Sequence, residues 1–595
     1  MRAFANPATY QVPAIGSLTD DVLNQADTRP NAAAFSRKIG DSWEDVTYPQ
    51  FRDEVVAVAK GLIAAGVQAG DRVALLSRTR YEWTLVDYAI WWIGAATVPI
   101  YETSSPEQIA WILSDSEAVA GVVETEEHRD RVDQIHDPTP GLKQTWVIDA
   151  GGIQALTDLG AGVTDGEVES RRSAVKPTDM ATLIYTSGTT GRPKGCVLTH
   201  ANFMFELGVA TREMDQLFLD DDSSTLLFLP LAHIFARIIQ VGCVHAGARL
   251  GHSSNIKELT SNLAEFRPTF ILAVPRVFEK VFNTASQRAH AEGKGRIFDA
   301  AAESAIRYSQ ALDGSGPNLV RRAKHAVFDR LVYSRLRAAL GGNTTYTISG
   351  GAPLGDRLAH FFRGIGVPVL EGYGLTETTA ALTVNLPDAQ RIGTVGRPLP
   401  GTEVKIGDTG ELLFRGGQVF TGYWGNGTAT RSALDSEGWF HTGDIGEIDD
   451  EGFVRITGRM KEILVTAGGK NVAPAALEDP IRAHPLVSQC MVVGDGKPFI
   501  GALITLDEEA MVGWAEQHNL DPSSDDLDRN PDVRAAIQKA VDDANATVSQ
   551  AESIRKFRIL PVDWTEESGH LTPSLKLRRS VVMRDFADEV EALYS

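Results

Sequence analysis

Residues Tyr185 to Gly195 read YTSGTTGRPKG, a polar stretch with three glycines and one lysine between two apolar runs. Ala181, Leu183 and Ile184 precede it, and Cys196, Val197 and Leu198 follow. This pattern predicts two strands joined by a flexible turn, so the chain must build a sheet around the loop. Gly188, Gly191 and Gly195 let backbone amides approach an anion closely, Ser187, Thr189 and Thr190 add hydroxyl donors, and Lys194 adds a mobile positive charge. The loop suits a polyphosphate. It is not the Walker loop, in which Gly and Lys are adjacent and Ser or Thr follows, because Pro193 separates Arg192 from Lys194 and Gly195 comes next.

At 595 residues, 43% of them hydrophobic, the chain exceeds what one core supports, so two or more domains are expected. The net charge of −21 argues against nucleic acid as a partner. Cys196, Cys243 and Cys490 are far apart, with no CxxC pair, so neither a disulfide framework nor a structural zinc site is expected, and a reducing cytoplasm fits. The first residues have no apolar core of signal-peptide length. The most apolar segment, Tyr88 to Tyr101, is about fourteen residues long, against the roughly twenty of a spanning helix.

Amphipathic stretches (Tyr48 to Ala65, Tyr81 to Ile93) alternate with β-like runs (Arg72 to Leu76, Ala118 to Val123), which is α/β wiring. The alternation resumes at Thr225 to Leu229, Thr269 to Val274, Tyr346 to Ile348 and Val367 to Leu370, with helical patterns at Ile297 to Leu312 and Leu319 to Leu340. From Gly393 to Ile456 short strands broken by Gly and Asp predict an antiparallel, barrel-like subdomain. A smaller unit follows, with strands near Cys490 to Val493 and Gly501 to Thr505, an acidic stretch at Asp521 to Asp528 and a helix from Pro531. The expected division is 1–459 and 460–595.

SGGAPL (Ser349 to Leu354) and EGYGLTET (Glu371 to Thr378) each follow a β-like run, at the carboxyl ends of strands, where open α/β sheets bind ligands. Gly350 and Gly351 permit close approach to a flat base, Tyr373 offers a ring to stack on it, Thr376 can bond a phosphate, and Glu377 supplies a hard oxygen for Mg²⁺.

Together these strings resemble the adenylate-forming enzymes, which include acyl-CoA synthetases, peptide-synthetase adenylation domains and luciferases. The resemblance covers nearly the whole chain. It implies a large domain of doubly wound sheets with a small barrel subdomain, and a smaller mobile α+β lid. It assigns ATP contacts to Thr186, Ser187, Gly188, Thr189, Thr190, Gly191 and Lys194, and to Gly350, Gly351, Ala352, Glu371, Gly372, Tyr373, Gly374 and Thr376, with Mg²⁺ at Thr189 and Glu377. Asp444 in WFHTGD and Arg459 in GRMKE match the family's ribose pair. Lys576 in LTPSLKLRR matches the lysine that reaches the carboxylate and α-phosphate, although Leu575 stands where many relatives have Gly. Lys461 matches the hinge, and Gly468, Gly469 and Lys470 of AGGKN the turn that lines the passage for coenzyme A once the lid has rotated. The basic residues Arg555, Lys556, Arg558, Arg578 and Arg579 can meet its phosphates or serve as a solvated face.

His233 in LPLAHIFAR matches the position where the family has a residue near the substrate carboxylate or gating its pocket. YETSSPEQI (Tyr101 to Ile109) and VPRVFEK (Val274 to Lys280) resemble the long-chain acyl-CoA synthetase branch. The implied reaction is activation of a long-chain fatty acid by MgATP to acyl-AMP, then transfer to coenzyme A. Transfer to a carrier protein and a non-catalytic sensor are the alternatives; a sensor would be expected to have lost Lys576 or Glu377, and both are present. The greasy substrate is compatible with peripheral contact at the inner membrane face, though no amphipathic basic helix stands out.

Overall fold

The strand pair expected around the glycine-rich loop is present. Met180–Thr186 and Lys194–Thr199 run antiparallel, with Thr186 opposite Lys194. The computed structural model describes residues 2–40, 42–134, 142–186, 192–255, 258–518, 529–572 and 575–595. Ser187, Gly188, Thr189, Thr190 and Gly191, and the acidic stretch Asp521 to Asp528, lie outside them.

These two strands belong to a seven-stranded sheet whose parallel centre is Arg72–Leu76, Ala96–Ile100, Ala120–Val123 and Gln144–Val147. A nine-stranded sheet has a parallel centre running through Arg249–His252, Ser224–Leu227, Phe270–Ala273, Tyr346–Ser349 and Val369–Leu375. The near-continuous apolar character of Ala96–Ile100, Ala120–Val123 and Phe270–Ala273 reflects burial on both faces. One apolar core joins the sheets, containing Leu75 and Ile184 from one and Leu250 and Phe270 from the other.

Between the sheets lies the helix Tyr81–Trp92, part of the most apolar stretch of the chain, with every residue but Glu82 buried. A helix apolar all round belongs in an interior. Its buried acid, Asp87, meets Arg237 of the helix Ile234–Ala246, and both side chains are fully shielded from solvent. Arg237 donates to Asp87 from Nε (3.0 Å) and Nη2 (2.5 Å), and from Nη1 to Thr182 Oγ1 (2.6 Å). Thr97 also donates to Asp87 (2.6 Å), and the Thr182 hydroxyl donates to the Thr97 carbonyl (2.7 Å). Trp83 and Trp91 flank the guanidinium, 5.3 and 5.0 Å from it. The network ties two strands of the seven-stranded sheet to the helix Ile234–Ala246.

The barrel-like region is a five-stranded antiparallel sheet of Glu403–Ile406, Glu411–Arg415, Phe440–Ile448 and Val454–Arg459, with Ala3–Ala5 at its edge. That edge strand carries no signal in the sequence, because three residues are too few to show an alternation. Beyond Arg459 a three-stranded sheet, Val487–Val493, Ile500–Leu506 and Ile554–Ile559, packs with Ala475–Arg482 and Pro531–Asn545 around a core of its own. This small domain rests on the helix Pro275–Ala291 of the large one, where Arg276 pairs with Asp507 (2.8 Å) and Lys280 with Glu509 (3.0 Å). The pattern read as one helix from Leu319 to Leu340 divides into Leu319–Phe328, a wider turn at Asp329–Tyr333, and Ser334–Ala339. Among the described residues no helix is long and apolar enough to cross a membrane.

Removing one partner of a buried ion pair costs about 3–5 kcal/mol, because the other charge is left uncompensated, whereas replacing both with apolar groups is often neutral. Asp87→Ala should therefore lower stability by about that amount, followed by tryptophan fluorescence in urea, and Asp87→Leu with Arg237→Met should recover most of it. A loss under about 1 kcal/mol for Asp87→Ala would show that the pair does not hold the layers together.

Candidate functional site

The carboxyl ends of Met180–Thr186, Tyr346–Ser349 and Val369–Leu375 open into one cleft of about 2400 Å³ between the two domains. Its wall includes Thr186, Lys194, His233, Gly350, Gly351, Ala352, Glu371, Gly372, Tyr373, Gly374, Thr376, Glu377, Asp444, Arg459, Lys461 and Lys576. Residues spread over nearly four hundred positions of sequence thus meet in one place.

Asp444 and Arg459 face each other across neighbouring strands, which explains their spacing around a Gly-rich hairpin. Arg459 Nε donates to Asp444 Oδ1 (2.8 Å), and the Tyr373 hydroxyl donates to Oδ2 (2.6 Å). The carboxylate is buried and oriented from both sides, and each oxygen retains lone-pair capacity for a ribose hydroxyl. Tyr373 is therefore fixed at its tip while its ring forms cleft wall, and burial beside Asp444 raises its hydroxyl far above the ordinary range.

The strand Val369–Leu375 runs into a short turn, Thr376–Thr378, followed by two residues with positive φ, Thr379 (56°) and Ala380 (105°). A side chain at Gly374 would begin 1.4 Å from the Ala380 carbonyl oxygen, so only glycine fits under this reversal. The turn carries Thr376 and Glu377 to the cleft surface. Tyr423 donates to Glu377 (2.8 Å), and Lys194 lies 5.1 Å from the Tyr423 ring centre, so both charged groups share one aromatic support. Among the described residues no three His, Cys, Asp or Glu side chains cluster as a metal site. A single carboxylate completed by phosphate oxygens is how Mg²⁺ is commonly held, and Glu377 fits that role.

Lys576 comes from the small domain, yet its Cε lies 3.9 Å from where a Cβ on Gly351 would stand. Leu575 takes φ +60°, the left-handed conformation that favours glycine, at the expense of local strain. The Lys576 side chain opens to the cleft but sits deep in the protein mass; that burial, then Arg459, push its ammonium below the ordinary lysine range, opposed by Asp444, Glu377 and Glu462. His233 caps the helix Ile234–Ala246, its Nδ1 accepting from the Phe235 N–H (3.2 Å). Burial, with the Lys576 charge second, pushes His233 down to about 3, so the imidazole is neutral and carries its proton on Nε2.

Gly468, Gly469 and Lys470 are not in the cleft wall. They close the hairpin of Leu464–Val465 and Asn471–Val472, which is turned to the small domain's own surface by an Ala467 N–H to Lys497 carbonyl bond (2.9 Å) and a Lys470–Glu552 pair (3.4 Å). Arg579 is taken up by Glu478 (2.6 Å) and Arg558 by Glu589 (2.5 Å), so the basic residues near them do not form one patch.

An apolar branch of the cleft runs between the helices His200–Glu213 and Ile234–Ala246, lined by Leu207, Met214, Phe218, Phe235, Ile238 and Gly242. Glu206 also lines it, fully buried and pushed far above the carboxylate range by that burial; one oxygen accepts from the Ala381 N–H (3.1 Å). Sequence reading missed Glu206, since a glutamate inside a helical pattern carries no signal of its own. Arg276 was visible in VPRVFEK, but its partner Asp507 lies more than two hundred residues away.

Glu371 accepts from the Leu354 N–H (3.0 Å), and burial, then Asp356, raise its carboxyl to about 7. A carboxyl raised on folding binds a proton more tightly in the native state, so its contribution to stability falls as pH rises from about 4.5 through about 7. Glu371→Gln should match the parent in thermal midpoint at acid pH and exceed it at alkaline pH. A midpoint difference independent of pH would remove the basis for a neutral Glu371.

Two family models match the chain: AMP-binding enzyme over residues 22–424 and AMP-binding enzyme C-terminal domain over residues 461–595. The chain is 51% identical, over 100% of both proteins, to long-chain-fatty-acid–CoA ligase FadD15 of Mycobacterium tuberculosis. It is 32% identical to long-chain-fatty-acid–CoA ligase ACSBG2 of Xenopus laevis, covering 94% of this chain and 81% of that one. Among solved structures, the adenylation domain of a carboxylate reductase from Mycobacterium chelonae superposes with TM-score 0.74 at 24% identity, over 97% of this chain and 91% of that one. The anthranilate CoA ligase AuaEII with anthranoyl-AMP gives 0.72 at 21%, over 98% and 99%. With the sheets, the cleft and both halves of the chain in agreement, this chain belongs to the family of AMP-binding enzymes.

Proposed function

We propose that the cleft activates a long-chain fatty acid with MgATP, giving acyl-AMP and pyrophosphate, and then transfers the acyl group to coenzyme A with release of AMP. The observation that carries this reading is Lys576, delivered by the small domain against Gly351 at the mouth of an apolar branch. Full-length relatives named for the same reaction support it.

In the first step a carboxylate oxygen attacks the α-phosphorus and the bond to pyrophosphate breaks. Asp444 and Tyr373 position the nucleoside, and Thr376 and Lys194 address the phosphates. Neutral His233 offers its Nε2 proton to a substrate oxygen, and Lys576 places positive charge where negative charge grows. Mg²⁺, held at Glu377 with phosphate oxygens, would neutralise charge on the leaving group. In the second step the small domain turns about Lys461, withdrawing Lys576 and bringing the turn of Gly468, Gly469 and Lys470 to the opening. The sulfur of coenzyme A then attacks the acyl carbon, the thiol gives up its proton, and the bond to AMP breaks. Three buried, unpaired cysteines support a reducing, cytoplasmic setting.

Lys576→Ala should abolish acyl-AMP formation and largely spare thioester formation from supplied acyl-AMP; equal loss of both would sink the assignment. Lys461→Pro should do the reverse, impairing the thioester step more than adenylation. Because only protonated Lys576 serves, adenylation should fail as pH rises through its lowered pKa, and Lys576→Arg should move that limb upward. In the apolar branch a Cβ at Gly242 would stand 3.3 Å from Leu207 and 3.6 Å from Phe218. Gly242→Leu should therefore shift preference to shorter chains, and an unchanged chain-length profile would place the acyl chain elsewhere.

A further inference from the structure

Among the described residues, four of the five most exposed large apolar side chains lie in one segment, the fifth being Ile15. Leu319 (82%), Val320 (75%), Val327 (57%) and Leu331 (53%) are all open to solvent. The helix Leu319–Phe328 buries none of its residues. Val320, Ala323 and Val327 are spaced to share one helical face, and Leu331 continues it past the wider turn at Asp329–Tyr333. The opposite face is the anchored one: the His325 ring stacks on Tyr308 (4.0 Å) and its Nε2 donates to the Gly364 carbonyl (2.7 Å), while Tyr333 donates to the Ala301 carbonyl (2.8 Å). The segment is thus fixed to the body and leaves an apolar stripe unpartnered.

Its charge runs against that of the chain. Within residues 315–340 there are six arginines and lysines and one acid, Asp329, which Arg337 holds (2.6 Å), in a protein of net charge −21. Arg321, Arg322, Lys324, Arg330 and Arg335 are exposed around the stripe. Apolar side chains at the centre of a basic rim are what an interfacial helix presents to anionic lipid headgroups. The helix Gly295–Leu312, on which the segment packs, turns Ala302 and Ile306 into the cleft. The patch therefore lies one helix away from the substrate space.

We propose that the segment from Leu319 to Leu331 docks the protein on an anionic lipid surface, its apolar stripe entering the headgroup boundary and its arginines and lysines meeting lipid phosphates. No step of the ligase reaction is required for this, so the test reads binding alone. The full chain is sedimented with vesicles of phosphatidylcholine, or of phosphatidylcholine with phosphatidylglycerol, at low and high salt. Binding is expected only with phosphatidylglycerol, and it should weaken as salt screens the charges. Arg321→Glu with Arg322→Glu should reduce partitioning at least about tenfold, and Val320→Ser with Val327→Ser by about tenfold. Both variants should release AMP at the parent rate with a long-chain fatty acid presented on albumin in the absence of vesicles, which separates docking from misfolding. Equal partitioning of parent and variants, or no binding at low salt, would overturn the proposal. Self-association in solution that Val320→Ser with Val327→Ser abolishes would assign the stripe to a second copy of the chain instead.

Discussion

The buried contact between Asp87 and Arg237 is the constraint on which the site depends. It joins a helix packed on the seven-stranded sheet to the helix whose first turn is capped by His233. Through Thr182 it also reaches the strand that feeds the glycine-rich loop. A network of this kind adds little net stability over an apolar replacement, but an error in it leaves a charge stranded. Its value lies in geometry, because it fixes the strand Met180–Thr186 relative to the helix capped by His233.

The electrostatics of the cleft follow from bringing a cation to a place already rich in charge. Lys576 enters beside Arg459, which disfavours its ammonium, and near Asp444, Glu377 and Glu462, which favour it. The same approach helps keep His233 neutral. The small domain is held in this orientation by Arg276 with Asp507 and Lys280 with Glu509, pairs that reach solvent and are individually weak. A contact that includes weak pairs of this kind is one that the proposed two-step reaction could release.

Much of this was legible in the sequence where chemistry is local. YTSGTTGRPKG announced its strands by the apolar runs beside it, and EGYGLTET announced a strand end by its glycines. The spacing of Asp444 and Arg459 became a cross-strand pair. What stayed hidden is long-range or depends on which face looks outward. Asp87 and Arg237 are 150 positions apart, and neither lies in a motif that requires the other. Glu206 reads as an ordinary helix residue until its burial is seen. The helix Leu319–Phe328 has the apolar period of a core helix, and only the structure shows that its stripe faces solvent. AGGKN was legible as a turn, but its distance from the cleft depends on which way the small domain is turned.

The central claim is that one cleft couples adenylation of a fatty acid to thioester formation. The most direct test is release of AMP from MgATP with a series of fatty acids from medium to long chain, each with and without coenzyme A. Release that requires a long-chain acid and rises strongly with coenzyme A is the predicted result. Release indifferent to coenzyme A, or absent with every fatty acid, would contradict the account and point to another acyl acceptor or another carboxylate.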